Sequence, residues 1–200
     1  MKRKLLLLCA LCAVLSVMAQ KDVDARIAEI RKAYADRLTI MSYKPYDDVE
    51  MEKLTVSYNR NYPGTGLYRH TDTYYWTDDE NEEYMLKPAL YFVTSQYSMC
   101  FGRYRYSREY LLDIATGEPM FMLLTTQLDD EAATRREFRF YFQGGKVIKQ
   151  VPERIGPFED DSVLAPDIEL DANGKAVNLN CEFDHVKSVF STLVPTYAWE

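Results

Sequence analysis

The chain has 200 residues, of which 47% are hydrophobic, 14% aromatic and 28% charged, and its formal net charge is −7. That is enough apolar material for one globular core, and it excludes a collagenous, low-complexity or mostly disordered chain. The acidic balance argues against nucleic acid and anionic membrane surfaces as partners, because both are met by clustered Lys and Arg.

At the N-terminus Lys2, Arg3 and Lys4 precede an apolar run from Leu5 to Leu15, and Val17-Met18-Ala19 places short residues at the −3 and −1 positions of a cleavage site. This plan predicts a secretory signal peptide over 1–19, cut between Ala19 and Gln20, and an exported protein that is periplasmic or secreted. The apolar run is well short of the ~20 residues that span a bilayer, and the chain shows no second candidate span. Cleavage would leave 21 basic and 31 acidic side chains, a net charge of −10, and would leave Cys100 and Cys181 as the remaining cysteines. Paired, they would close a loop of 81 residues, a constraint that stabilises a fold by about 4 kcal/mol in the chain-entropy description. Unpaired, they are two small hydrophobic side chains.

The mature part, 20–200, reads as a single domain. Val23, Ile27, Ile30, Tyr34, Leu38 and Met41 recur at helical spacing, which predicts an amphipathic helix over 22–42 with Asp22 or Asp24 capping its first turn. From about residue 50 to Val151 the period changes to two, with Val, Thr, Tyr and Phe enriched and turn residues between the runs. Strands are expected at Leu54–Tyr58, Leu67–Thr77, Ala89–Met99, Phe101–Ile114, Met120–Gln127, Arg135–Phe142 and Lys146–Val151. Their short connections predict an antiparallel meander, since parallel pairing needs crossovers of a dozen or more residues. The acidic stretch from Asp78 to Glu83 reads as a solvated connection, and 152–166 as a proline- and acid-rich loop. A small hairpin around Asn173-Gly174 follows, and then a C-terminal helix carrying Phe183, Val186, Val189, Phe190 and Leu193 and stopping before Pro195. The expected fold is α+β, with the N-terminal helix on a curved, mostly antiparallel sheet of six to eight strands and the C-terminal helix closing the core or an edge.

Familiar chemistries are missing from the sequence. His70 and His185 are the only histidines, and neither belongs to a zinc-type spacing. There is no G-x-S-x-G elbow and no phosphate-binding loop; Gly144-Gly145 is a hairpin turn. Cys100 sits in an apolar, strand-like setting, which disfavours a thiolate. The segment from Glu169 to Asn180 departs from a calcium loop at its first and twelfth positions. No catalytic residue, metal ligand or cofactor is therefore assigned.

The 16 tyrosines remain. A tyrosine ring packs well across a sheet, and when exposed it offers a flat apolar face with a polar tip. Tyr74-Tyr75-Trp76 is the leading candidate for an exposed aromatic surface, because consecutive strand residues point to opposite faces.

The basic start, the apolar run to Ala19-Gln20, the Ile27/Ile30/Tyr34 helix and the Tyr58…Pro63-Gly64-Thr65-Gly66…Tyr74-Tyr75 hairpin together resemble small, uncharacterised exported proteins of Gram-negative gut bacteria. The resemblance implies export and an α+β fold, and it carries over no catalytic residue. The functional expectation is a non-catalytic binding module that recognises protein or glycan through exposed aromatics. The alternatives are a small hydrolase or lyase using carboxylates and tyrosine, and a structural accessory of an envelope assembly.

Overall fold

The computed structural model describes residues 2–42, 52–64, 66–79, 85–99, 102–128, 134–155, 179–194 and 197–198. The chain divides into two compact units, Met1–Ser42 and Tyr43–Glu200. The first is a single helix, α1 (Lys2–Ser42). It begins at Lys2 and not at Asp22, so neither Asp22 nor Asp24 caps it. No glycine or proline occurs between residues 2 and 42, and the Leu- and Ala-rich first half is a strong helix former, so nothing interrupts the backbone ladder. Ile27 and Ile30 of the expected stripe are buried, whereas Leu38 is exposed.

The second unit is an antiparallel meander. Strands β1 (Glu52–Tyr62), β2 (Gly66–Asp79), β3 (Met85–Met99), β4 (Tyr104–Leu112), β5 (Pro119–Leu128), β6 (Arg135–Gln143) and β7 (Lys146–Ile155) lie side by side in chain order. Helix α2 (Leu179–Leu193) follows, and a two-residue β8 (Tyr197–Ala198) pairs with the start of β3. This is the α+β meander expected from the two periods in the sequence. Gly144 and Gly145 both have positive φ, 54° and 69°, as a two-residue hairpin matched to the right-handed strand twist requires.

β7 runs through Pro152 to Ile155, past Val151, where the strand was expected to end and the proline-rich loop 152–166 to follow. It is the last strand of the path, and a missing N–H is tolerated at a sheet edge. Pro88 obeys the same rule, since β4 pairs with β3 only from Phe92 onward. The rest of the expected loop and hairpin, 156–178, and Glu80–Tyr84 lie outside the described residues. So does the Cys100–Cys181 pairing.

Alternation along each strand sorts the sheet into two faces. On one, Tyr74, Trp76, Val93, Tyr110, Met122, Phe140 and Phe142 form a core closed by Leu179, Phe183, Val186 and Phe190 of α2. Phe183 and Phe190 lie two turns apart on α2, so both point at the sheet. The Phe183 ring meets Tyr110 edge-on at 5.4 Å and Phe142 at 5.2 Å, while Phe190 packs on Tyr74 and Trp76 at 6.1 and 5.6 Å. Among the described residues, no helix is long and apolar enough to cross a membrane.

Phe183 has no exposed surface, and its replacement by alanine should cost about 3–5 kcal/mol, a value typical of a fully buried ring. Urea unfolding of Phe183→Ala measures this. A loss below about 1 kcal/mol would mean that α2 does not seal the sheet through this ring.

Candidate functional site

Reading the α2-facing side row by row, across the strands, shows a graded surface. The first row, Leu54, Tyr74, Val93, Tyr110, Met122 and Phe140, is core. One step along, Val56, Asp72, Ser95, Arg108, Leu124 and Phe138 form a row whose β2–β4 part is polar. One step further, Tyr58, His70, Tyr97 and Tyr106 stand opposite one another on β1, β2, β3 and β4.

These four rings form a ladder. Centroid separations are 5.0 Å for Tyr58–His70, 5.7 Å for His70–Tyr97 and 4.5 Å for the near-parallel pair Tyr97–Tyr106. Such spacings follow from the ~4.8 Å between neighbouring strands, which sets directly opposed rings close to stacking distance. The ladder begins deep, with Tyr106 buried, and ends at edge strand β1 with Tyr58 at 49% exposure. Tyr68 and Tyr62 extend it toward the β1–β2 turn; Tyr68 lies 5.8 Å from Tyr58, Tyr62 lies 6.3 Å from Tyr68, and Tyr62 is 42% exposed. The Arg60 guanidinium lies over the Tyr62 ring at 5.0 Å, a cation–π contact.

His70 organises the polar side. Its Nε2 lies 2.8 Å from Asp72 Oδ1 and 3.0 Å from Ser95 Oγ, and its Nδ1 lies 2.9 Å from Tyr58 Oη and 3.0 Å from Tyr68 Oη. A carboxylate only accepts, so the proton on Nε2 points to Asp72, while the Tyr58 and Tyr68 hydroxyls lie within hydrogen-bond distance of Nδ1. Burial pushes the Asp72 carboxyl up, but the His70 and Ser95 hydrogen bonds and the charges of His70 and His185 outweigh it and hold it below its ordinary value of 3.8.

The polar row meets the first turn of α2. Arg108 donates to Glu182 Oε2 at 2.7 Å, and Tyr110 Oη donates to the same oxygen at 3.2 Å. Burial alone would lower the Arg108 pKa, but Tyr110, Tyr97 and the Glu182 carboxylate hold it above the usual value. Burial likewise raises Tyr110, and it pushes Tyr74 up to about 12 with help from the Asp72 charge. Glu182 also places a negative charge at the positive end of the α2 dipole.

Of the residues singled out from the sequence, Tyr74 and Trp76 do not form a solvent-facing surface. They lie in the core, at 3% and 8% exposure, because α2 covers their face. Tyr75 does look to the opposite side, as alternation demands, but its ring packs toward the buried Phe92 at 6.1 Å. The exposed aromatic cluster lies at the other end of β2. Its signal is in the sequence, since a hairpin centred on Gly64 sets Tyr58 against His70. The partners on β3 and β4 need the register of a second hairpin. His185, on the C-terminal helix, is exposed. Among the described residues no three His, Cys, Asp or Glu side chains converge as metal ligands would.

A carboxyl held below its ordinary value stabilises the fold above its unfolded pKa, and this contribution vanishes as pH falls through the folded value. Between about pH 4 and pH 2 the wild type should therefore lose stability more steeply than Asp72→Asn, followed by urea midpoints across that range. Equal slopes would mean that Asp72 gains nothing from His70 and Ser95. The chain matches no protein-family model, no curated protein and no solved structure, so the reading of its function rests on these side chains.

Proposed function

We propose that the protein is a non-catalytic, exported binding module whose aromatic ladder recognises glycan. The observation that carries this reading is the open end of the stack. Tyr58, backed on its inner side by His70, stands on the edge strand with nearly half its surface exposed, beside the exposed Tyr62. A pyranose presents a flat C–H face and a rim of hydroxyls. Such a ring can continue the stack on Tyr58 while its hydroxyls reach tyrosine hydroxyls and the Arg60 guanidinium. His70 supports binding more than catalysis, because both ring nitrogens are already engaged by four side chains that hold the platform in shape. The basic, apolar start of the chain supports export.

A second reading has an observation of its own. The chain Tyr58 Oη, His70, Asp72 has the order of a relay in which a carboxylate orients an imidazole that shares a proton with a hydroxyl. That is the arrangement a small carboxylate- and tyrosine-based hydrolase or lyase would use.

Affinity electrophoresis through gels holding xylan, dextran or mucin glycans separates the two. The binding reading expects retardation by at least one neutral polysaccharide, with affinity reduced tenfold or more in Tyr58→Ala/Tyr62→Ala. Since both rings are exposed, the circular dichroism of that variant should match the wild type. Retardation unchanged in the double variant, or none with any polysaccharide, overturns it. Release of reducing ends or unsaturated products by the wild type, lost in His70→Asn, would favour the relay.

A further inference from the structure

Strand β1 pairs with β2 along one edge, and among the described residues no strand pairs with its other edge. Leu54 and Val56 are half-buried and the rest of the strand is exposed, including the large rings of Tyr58 and Tyr62. The strand is long and free of proline, so its backbone N–H and C=O groups are spaced to receive another strand.

Charge ordinarily guards such an edge, because an arbitrary strand leaves it unmatched. On β1 the charges are placed so that one particular strand matches them. Glu52 and Arg60 stand equally far from Val56, one on either side. Two copies of β1, run antiparallel about a two-fold axis through Val56, therefore set Glu52 of each copy opposite Arg60 of the other. In the same register Leu54 meets Tyr58, Val56 meets Val56, Lys53 meets Asn59 and Thr55 meets Ser57. Apolar side chains then face apolar ones on the α2 side, polar ones face polar ones on the other, and no like charges are opposed. These are favourable kinds of cross-strand pair. Moving the axis to Ser57 sets Leu54 against Arg60, and moving it to Thr55 sets Glu52 against Tyr58. Only the axis at Val56 pairs the two charges. Directly opposed residues of an antiparallel pair share a face, so the two sheets continue into one with both α2 helices on the same side.

We infer that β1 is a self-complementary edge through which two copies of this chain join, antiparallel and centred on Val56. The contact is one strand wide, which places it among weak and reversible associations. It does not rest on the glycan reading. Leu54 of the second copy takes the outer side of Tyr58, so sugar binding and pairing are alternatives at that ring.

The test is sedimentation velocity of the full chain at low salt, over a series from about 5 to about 500 µM, the range in which weak dimers form. The expected result is a reversible equilibrium between monomer and dimer. Glu52→Arg puts arginine against arginine at both ends of the contact, and Arg60→Glu puts glutamate against glutamate. Each variant alone should self-associate at least tenfold more weakly than the wild type. An equimolar mixture of the two variants restores opposite charges at both ends and should dimerise at least tenfold more tightly than either alone. Both positions are exposed, and recovery in the mixture shows that each variant is folded. A wild type that stays monomeric throughout overturns the proposal and leaves the edge to a strand of a different protein. A dimer that neither variant weakens overturns it as well, by placing the contact elsewhere in the chain, and so does a mixture that fails to regain the dimer.

Discussion

Register between neighbouring strands is the constraint on which the other features depend. In an antiparallel sheet the side-chain period is two, so a slip of one residue in any pair exchanges its two faces. Were β2 to slip by one against β3, Tyr74 and Trp76 would leave the core that α2 covers, and His70 would turn away from Tyr97. The turns help to prevent this. Gly64 and Gly66 both adopt positive φ at the β1–β2 connection, and Gly144-Gly145 closes β6 on β7. Three interruptions, at Tyr75/Trp76, Leu111/Leu112 and Tyr141/Phe142, each sit toward one end of a strand pair. The ladders behind the candidate sites therefore stay in phase.

α2 divides one face into a dry part and a wet part. Its aromatic knobs seal the core rows, and its first turn ends over the row that holds Arg108. A guanidinium buried as far as that of Arg108 is costly without a charged partner. Glu182 resolves this by taking both Arg108 and Tyr110. Beyond this point the sheet face is free to hold polar aromatics in place of aliphatics. The same strand segments serve the other side, since Tyr97 lies between Gln96 and Ser98, and Tyr106 between Arg105 and Ser107. The aromatic ladder and the hydroxyl and amide side chains behind it are back to back, built by alternate residues of one stretch of sheet.

Much of this fold is legible in the sequence, because period two and period 3.6 are properties of neighbouring residues. The seven strands, their antiparallel order and α2 follow from them directly. α1 shows the limit of such reading: its apolar first half and its amphipathic second half carry different patterns but share an unbroken helical backbone. The candidate site was less legible. Tyr74, Tyr75 and Trp76 stand out because they are adjacent, yet adjacency along a strand sends rings to opposite faces. The assembled cluster draws Tyr58, His70, Tyr97 and Tyr106 from four strands, and only the joint register of three hairpins brings them together.

The two edges of the sheet are unequal. β7 carries Pro152, which removes one donor from its backbone row, and it exposes Lys149 and Glu153 nearby. β1 spans eleven residues without a proline, and most of them are exposed. Sheet extension by another strand is therefore favoured at β1, where backbone N–H and C=O groups are spaced for pairing and Glu52, Lys53 and Arg60 are the charges that discourage it. An incoming strand in register would set one of its own side chains directly against Tyr58, as the fifth rung of the ladder.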